Sequence, residues 1–119
     1  AKWYRKAAEQ GTAAAQSKLG AMYFLGEGVS YNNGQALSWC RRAAEQGDAE
    51  GQYCLGLLYA TGKGVPQNLI LAHMWFDLAS VAGSEEARVH RDQAATLMTP
   101  LQLVEARKLV REWQATSLL

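Results

Sequence analysis

Only two of the 119 residues are cysteine and only two are proline. Cys40 and Cys54 are too few for the disulfide framework of a small secreted domain, and they lack the partners of a zinc site. Scarce proline alongside 49% hydrophobic residues argues against disorder. Neither charge dominates: 12 Lys+Arg face 11 Asp+Glu, a net +1, so no basic surplus exists to hold a phosphate backbone, and nucleic acid is not an expected partner. No apolar run approaches the ~18 residues of a membrane-spanning helix. Ala1 is followed by no charged-then-apolar leader, so an export signal, if the parent protein carries one, is expected upstream of Ala1. A chain of this size buries roughly 65% of its unfolded surface, enough for a core without metal or cross-links.

What the chain does have is repetition. Trp3, Trp39 and Trp75 stand 36 residues apart, and the nine residues from Trp3 to Gly11 recur, with two changes, from Trp39 to Gly47. The same shift carries Ala13, Gln16, Leu19-Gly20 and Tyr23 onto Ala49, Gln52, Leu55-Gly56 and Tyr59. It also carries Gly26, Gly28, Val29, Asn32 and Ala36 onto Gly62, Gly64, Val65, Asn68 and Ala72. Ungapped matches of this number define a short tandem array.

Each unit reads as two helices. Gly11, Gly47 and Gly83 fall where a helix stops, and Thr12, Asp48 and Ser84 follow as N-caps of the next. Glu50, Glu85 and Glu86 then occupy first turns, where the helix dipole favours negative charge. In the first helix of each unit, Ala15, Leu19, Met22 and Tyr23, then Gly51, Leu55, Leu58 and Tyr59, form a buried stripe. Gly20 and Gly56 cost about 1 kcal/mol each inside a helix and mark places where a neighbour leaves no room for a side chain. The Gly-x-Gly-Val loops turn the chain back, with Val29 and Val65 plugging the hairpins. Second helices starting near Gly34 and Leu69 bury Ala36, Trp39 and Ala43, then Ala72, Trp75 and Ala79.

The last third departs from this pattern. At the 36-residue shift Leu55-Gly56 becomes Arg91-Asp92 and Tyr59 becomes Ala95. A helix is expected from Ser84 to Met98. Thr99-Pro100-Leu101-Gln102 then restarts the chain with a capping-box pattern. Leu103, Ala106, Val110 and Trp113 recur at helical spacing opposite Gln102, Glu105, Lys108 and Glu112. This amphipathic pair is expected to cap the array, as solenoids require. At the other end Ala1 aligns with Leu37, in the middle of a second helix.

Leu55-Gly56, Tyr59, Gly62, Gly64, Val65, Ala72, Trp75, Ala79 and Gly83, with Ser80 in place of a second Ala, resemble the unit of the Sel-1-like repeat family, a branch of the tetratricopeptide-like superfamily. The resemblance covers residues 3–83 specifically and 84–119 loosely. It implies an all-α fold, a right-handed α-α superhelix of antiparallel helix pairs. The expected division is 1–11 as the second helix of a truncated repeat, 12–47 and 48–83 as full repeats, and 84–119 as divergent capping helices. It also implies a non-enzymatic adaptor or scaffold in a bacterial setting, which leaves periplasm and cytoplasm both open.

Few signals point to chemistry. The Gly-x-Gly pairs lack the strand and third Gly of a dinucleotide site and the Gly-Lys-Ser/Thr of a P-loop, so they read as turns. His73 replaces Leu37 of the previous unit and is expected at a helix surface; His90 sits beside arginines in a solvated or partly packed role. Neither has a metal-binding context, and no metal or cofactor is expected. Cys40 and Cys54 flank the Gly47 turn at similar distances, so their side chains can approach; a disulfide needs Cα atoms under about 7 Å apart with converging Cβ atoms. A secreted, cysteine-rich branch of the family clamps consecutive helices, but the corresponding positions here hold Ala44 and Gln52. The thiols are therefore read as free, packing as small hydrophobes. Trp3, Trp39 and Trp75 are read as core.

The face of the first helices opposite the buried stripe is the expected concave face, since first helices line it in the related superfamily. Ala14, Leu25 and Thr61 fall on that face, and Ser17, Lys18, Ala21, Phe24, Glu50, Tyr53, Leu57 and Ala60 are the candidate partner-binding residues there. Phe24, Tyr53 and Leu57 are expected to have no task inside the chain, the appearance of a docking patch; contact with an adjacent helix or the cap is the competing reading. The leading expectation is a module that holds a peptide or partner helix. The alternatives are a cell-envelope hydrolase related to penicillin or peptidoglycan chemistry, with His73 or a thiol taking part, and a segment that self-associates end to end through Trp3, Tyr4 and Ala7.

Overall fold

The computed structural model describes residues 2–117, so Ala1 and its alignment with Leu37 lie outside the described residues, as do Leu118 and Leu119. Among the described residues there are seven helices and no strand: α1 (Lys2–Glu9), α2 (Ala13–Leu25), α3 (Asn33–Glu45), α4 (Ala49–Thr61), α5 (Leu69–Val81), α6 (Glu85–Ala95) and α7 (Pro100–Ser117). They stack as antiparallel neighbours into an all-α superhelical solenoid of 44 × 31 × 23 Å, α1 to α6 packing chiefly on the helices beside them in sequence and α7 on α5.

The joints between units share one design. At Gly47, φ is +87°, a conformation that favours glycine. Gly47 N–H donates to the Ala44 carbonyl at 3.0 Å and Asp48 N–H to Ala43 at 3.2 Å. This is the Schellman arrangement, which satisfies carbonyls left free at a helix end. The same pair of bonds closes α1 at Gly11 and Thr12, and α5 at Gly83 and Ser84. Asp48 Oδ2 then accepts from Gly51 N–H at 2.9 Å, and Ser84 Oγ from Ala87 N–H at 3.1 Å. Thr12 occupies the same N-cap position but makes no side-chain cap bond, which corrects the expectation from its residue type. Asn32 and Asn68 cap the second helices through Gln35 N–H and Leu71 N–H, both at 3.0 Å.

The stripes pack largely as expected: Leu19, Leu55, Leu58, Ala36, Ala43, Ala72 and Ala79 are all buried, whereas Met22 and Tyr59 are only partly so. A Cβ on Gly51 would stand 2.8 Å from Ala44 N, so α3 and α4 meet there backbone to backbone. A Cβ on Gly56 would meet the Phe76 ring at 2.6 Å, and one on Gly20 would strike Cys40 Sγ.

Two details of the packing lie outside the apolar pattern. Arg5 donates to the Tyr23 hydroxyl, and Arg41 does the same to Tyr59 at 3.0 Å, one repeat later. Buried Gln16 and Gln52 each donate to a carbonyl at the end of the preceding helix, Ala8 and Ala44. Gln16 Oε1 also accepts from Gln46 Nε2 at 2.6 Å, whereas Gln52 Oε1 is buried without a partner. The repeat explains the difference, because the residue equivalent to Gln46 is Ala82. Ala82→Gln supplies the missing donor at an exposed position. It is expected to stabilise the fold by about 1 kcal/mol, the usual net worth of such a bond, read as a raised urea midpoint; an unchanged or lowered midpoint would contradict this pairing.

Four sequence expectations need correction. Trp39 and Trp75 are 6% and 8% exposed, but Trp3 is 75% exposed, because α1 packs chiefly on α2 whereas α3 lies between α2 and α4. Tyr4 and Ala7 are partly buried against the core, which leaves Trp3 as the open part of the proposed N-terminal contact. The helix expected to reach Met98 ends at Ala95, where the Thr96 hydroxyl donates to the Gln93 carbonyl at 2.7 Å. His73 is 4% exposed rather than at a surface, because α7 lies across α5. Cys40 and Cys54 form a disulfide between α3 and α4, with Cα atoms 6.0 Å apart, rather than remaining free.

In the final unit the Arg-to-Tyr pairing is replaced. Asp77 stands where Arg41 did, and Arg91 reaches it at 2.8 Å, in space that Ala95 leaves where the earlier units hold a tyrosine. The capping box starting α7 is complete: Gln102 N–H donates to Thr99 Oγ1 at 3.1 Å, and Thr99 N–H to Gln102 Oε1 at 2.9 Å. Ala106 and Val110 are buried, and Trp113 meets Trp75 edge-on at 6.0 Å.

Candidate functional site

Helices α2, α4 and α6 are the first helices of successive units, and their unpaired faces bound one open groove. Its volume is about 390 Å³. Seven of the eight expected residues line it: Ser17, Lys18, Ala21 and Phe24 from α2, then Glu50, Tyr53 and Leu57 from α4. Ala60 does not; it borders a separate hollow of about 180 Å³ with Gln67, Phe76 and His90. Ser17 is buried, and its hydroxyl donates to the Ala14 carbonyl at 3.0 Å, so it shapes the wall more than it offers a polar group.

Leu25, which the sequence places on this face but outside the eight candidates, also lines the groove, and two further lining residues, Cys54 and Glu86, were missed. Leu25 is 59% exposed, the most open apolar side chain on the groove. Cys54 belongs to the disulfide, which stands behind the groove wall. Glu86 comes from α6, beyond the two repeats whose first helices define the candidate face.

The expectation that Phe24, Tyr53 and Leu57 have no task inside the chain is wrong for all three. Tyr53 and Leu57 pack against a small cluster of Ala72, Phe76, Ala79 and Ala87. The Tyr53 ring lies 6.0 Å from Phe76 and 5.3 Å from His90. Phe24 is packed against the main core, and the Lys63 ammonium stands 5.2 Å above its ring, a cation–π contact. These side chains are half-buried supports whose outer surfaces face the groove. Tyr53 titrates above the ordinary tyrosine range, because burial and the nearby Glu86 carboxylate both disfavour the phenolate.

His73, one group named for the hydrolase alternative, lies outside the groove of α2, α4 and α6. Both sulfurs are spent in the disulfide. His73 borders a hollow with Asp77, Arg91 and Arg107 and no Ser, Thr or Cys. Burial lowers its pKa, with Asp77 opposing and Arg91 and Arg107 adding to the fall. Among the described residues no group of three or more His, Cys, Asp or Glu could hold a metal ion, and no helix is long and apolar enough to cross a membrane.

Comparison with known proteins bears on the same architecture. The family described as Sel1 repeat matches at residues 1–12, 13–48 and 49–84. The crystal structure of a protective antigen present in uropathogenic Escherichia coli strains, displaying an SLR fold, superposes with a TM-score of 0.89 at 37% identity. That match covers 94% of this chain and 24% of the antigen, so the chain spans about a quarter of that protein's length. A Sel1 repeat protein from Oxalobacter formigenes superposes with a TM-score of 0.72 at 39% identity, covering 77% of this chain and 69% of that one. No curated protein sequence matches.

Proposed function

The chain belongs to the Sel1 repeat family, whose members are generally protein–protein interaction scaffolds, and we propose that it is a non-enzymatic module holding a peptide or partner helix in the groove of α2, α4 and α6. The observation that carries this reading is Leu25, an exposed leucine on a concave apolar wall that also includes Phe24, Tyr53 and Leu57. An apolar anchor in such a pocket supplies most of the affinity in peptide recognition. The disulfide supports a compartment that tolerates cross-links, the bacterial periplasm over the cytoplasm.

The test uses peptides selected on the immobilised chain from a random library. Tyr53 and Leu57 support the cluster around Phe76, so their loss mixes folding with binding; Leu25 is the cleaner probe. Leu25→Glu is expected to weaken the selected peptides at least tenfold, about 1.4 kcal/mol, with an unchanged melting temperature. Equal binding by wild type and Leu25→Glu would move the contact surface elsewhere.

A further inference from the structure

The groove is not uniform along its length. Its apolar part, around Phe24, Leu25 and Leu57, runs into a second hollow of about 450 Å³ at the joint between α4 and α6. The two hollows share Glu50, Tyr53 and Glu86, so they form one trough with an apolar and an acidic end. Both glutamates are exposed. Among the described residues, Glu85 is engaged by Arg88 at 2.9 Å, while neither Glu50 nor Glu86 has a cationic partner within salt-bridge distance. The Tyr53 hydroxyl likewise makes no hydrogen bond to the described residues. The first-turn positions of Glu50 and Glu86 explain why the helices tolerate them. They do not explain why the carboxylates border the same trough as a run of apolar side chains.

We propose that the occupant is a peptide segment carrying an apolar side chain next to a lysine or arginine, the apolar group seated on Phe24, Leu25 and Leu57 and the cation between Glu50 and Glu86. A cation there donates charge-assisted hydrogen bonds to carboxylates that have no cationic partner among the described residues. The neighbouring apolar contact excludes water and strengthens them. The pairing also fixes direction, since a reversed peptide brings its cation towards the Lys63 ammonium above Phe24.

This assignment rests on the groove being the binding surface, and the experiment separates the two. A phage-displayed library of random dodecapeptides is selected in parallel on the wild-type chain, Glu50→Gln/Glu86→Gln and Leu25→Glu. The wild type is expected to enrich Lys or Arg within about three residues of Leu, Ile, Met or Phe. Synthetic peptides from that pool should bind Glu50→Gln/Glu86→Gln at least fivefold more weakly, with a loss that shrinks at high salt. Enriched peptides without a basic bias, or with a bias that survives in Glu50→Gln/Glu86→Gln, overturn the acidic-end assignment while leaving the groove in place. Peptides that bind Leu25→Glu as well as wild type overturn the groove reading and this inference with it. So does a selection that enriches nothing.

Discussion

Leu55→Ala is expected to cost about 3 kcal/mol, within the usual range for removing a fully buried leucine. At this chain length that corresponds to a fall of roughly 10 °C in melting temperature. Leu55 is 0% exposed and belongs to the largest core cluster, alongside Trp39, Trp75 and the disulfide sulfurs. The surrounding helices cannot close the void cheaply. Gly51 and Gly56, on the same helix, already hold α4 against α3 and α5 at distances that leave no slack. Leu101→Ala is the control: Leu101 is 81% exposed, and its truncation should change stability by less than about 0.5 kcal/mol. Equal losses at the two positions would mean that the repeat stripe is not the core.

The second large effect concerns the disulfide. Cys40 and Cys54 close a loop with a sequence separation of 14, linking the last helix of one unit to the first helix of the next. A loop of that size is worth about 3 kcal/mol through the entropy it removes from the unfolded chain. Both cysteines are buried, so a reduced chain keeps their packing and loses mainly the constraint. Melting in the presence of dithiothreitol is therefore expected to fall by roughly 10 °C, with an unchanged helical spectrum at 20 °C. Reductant is a cleaner agent than a Cys40→Ser/Cys54→Ser variant, which buries two hydroxyls as well. The denatured, unreduced chain should show no thiol reactive to Ellman's reagent. Two reactive thiols together with reductant-independent melting would contradict the cross-link and its bearing on compartment.

Much of the fold could be read from the chain because the 36-residue repeat states each packing rule more than once. Ala36 and Ala72, Trp39 and Trp75, and Gly20 and Gly56 occupy equivalent places in equivalent environments. What escaped the sequence is what depends on a neighbour that the repeat does not specify. Trp3 shares the spacing of Trp39 but lacks the flanking helix that buries Trp39. His73 is buried because α7 crosses α5, a placement set by helices outside the repeat. The Cys40–Cys54 bond depends on how closely α3 and α4 approach, which Gly51 permits and no composition count reveals. The groove was legible as a set of residues sharing one face of α2 and α4. Its limits were not, because Ala60 turns towards another hollow and Glu86 arrives from α6.

Backbone amide shifts of the isotope-labelled chain, followed as a selected peptide is titrated in, test the binding role most directly. The account predicts perturbations centred on Phe24, Leu25, Glu50, Tyr53, Leu57 and Glu86, with the outer face of α7 and the end of the stack at Trp3 undisturbed. Shifts confined to Trp3 and its neighbours in α1, or to the exposed side of α7, would contradict it.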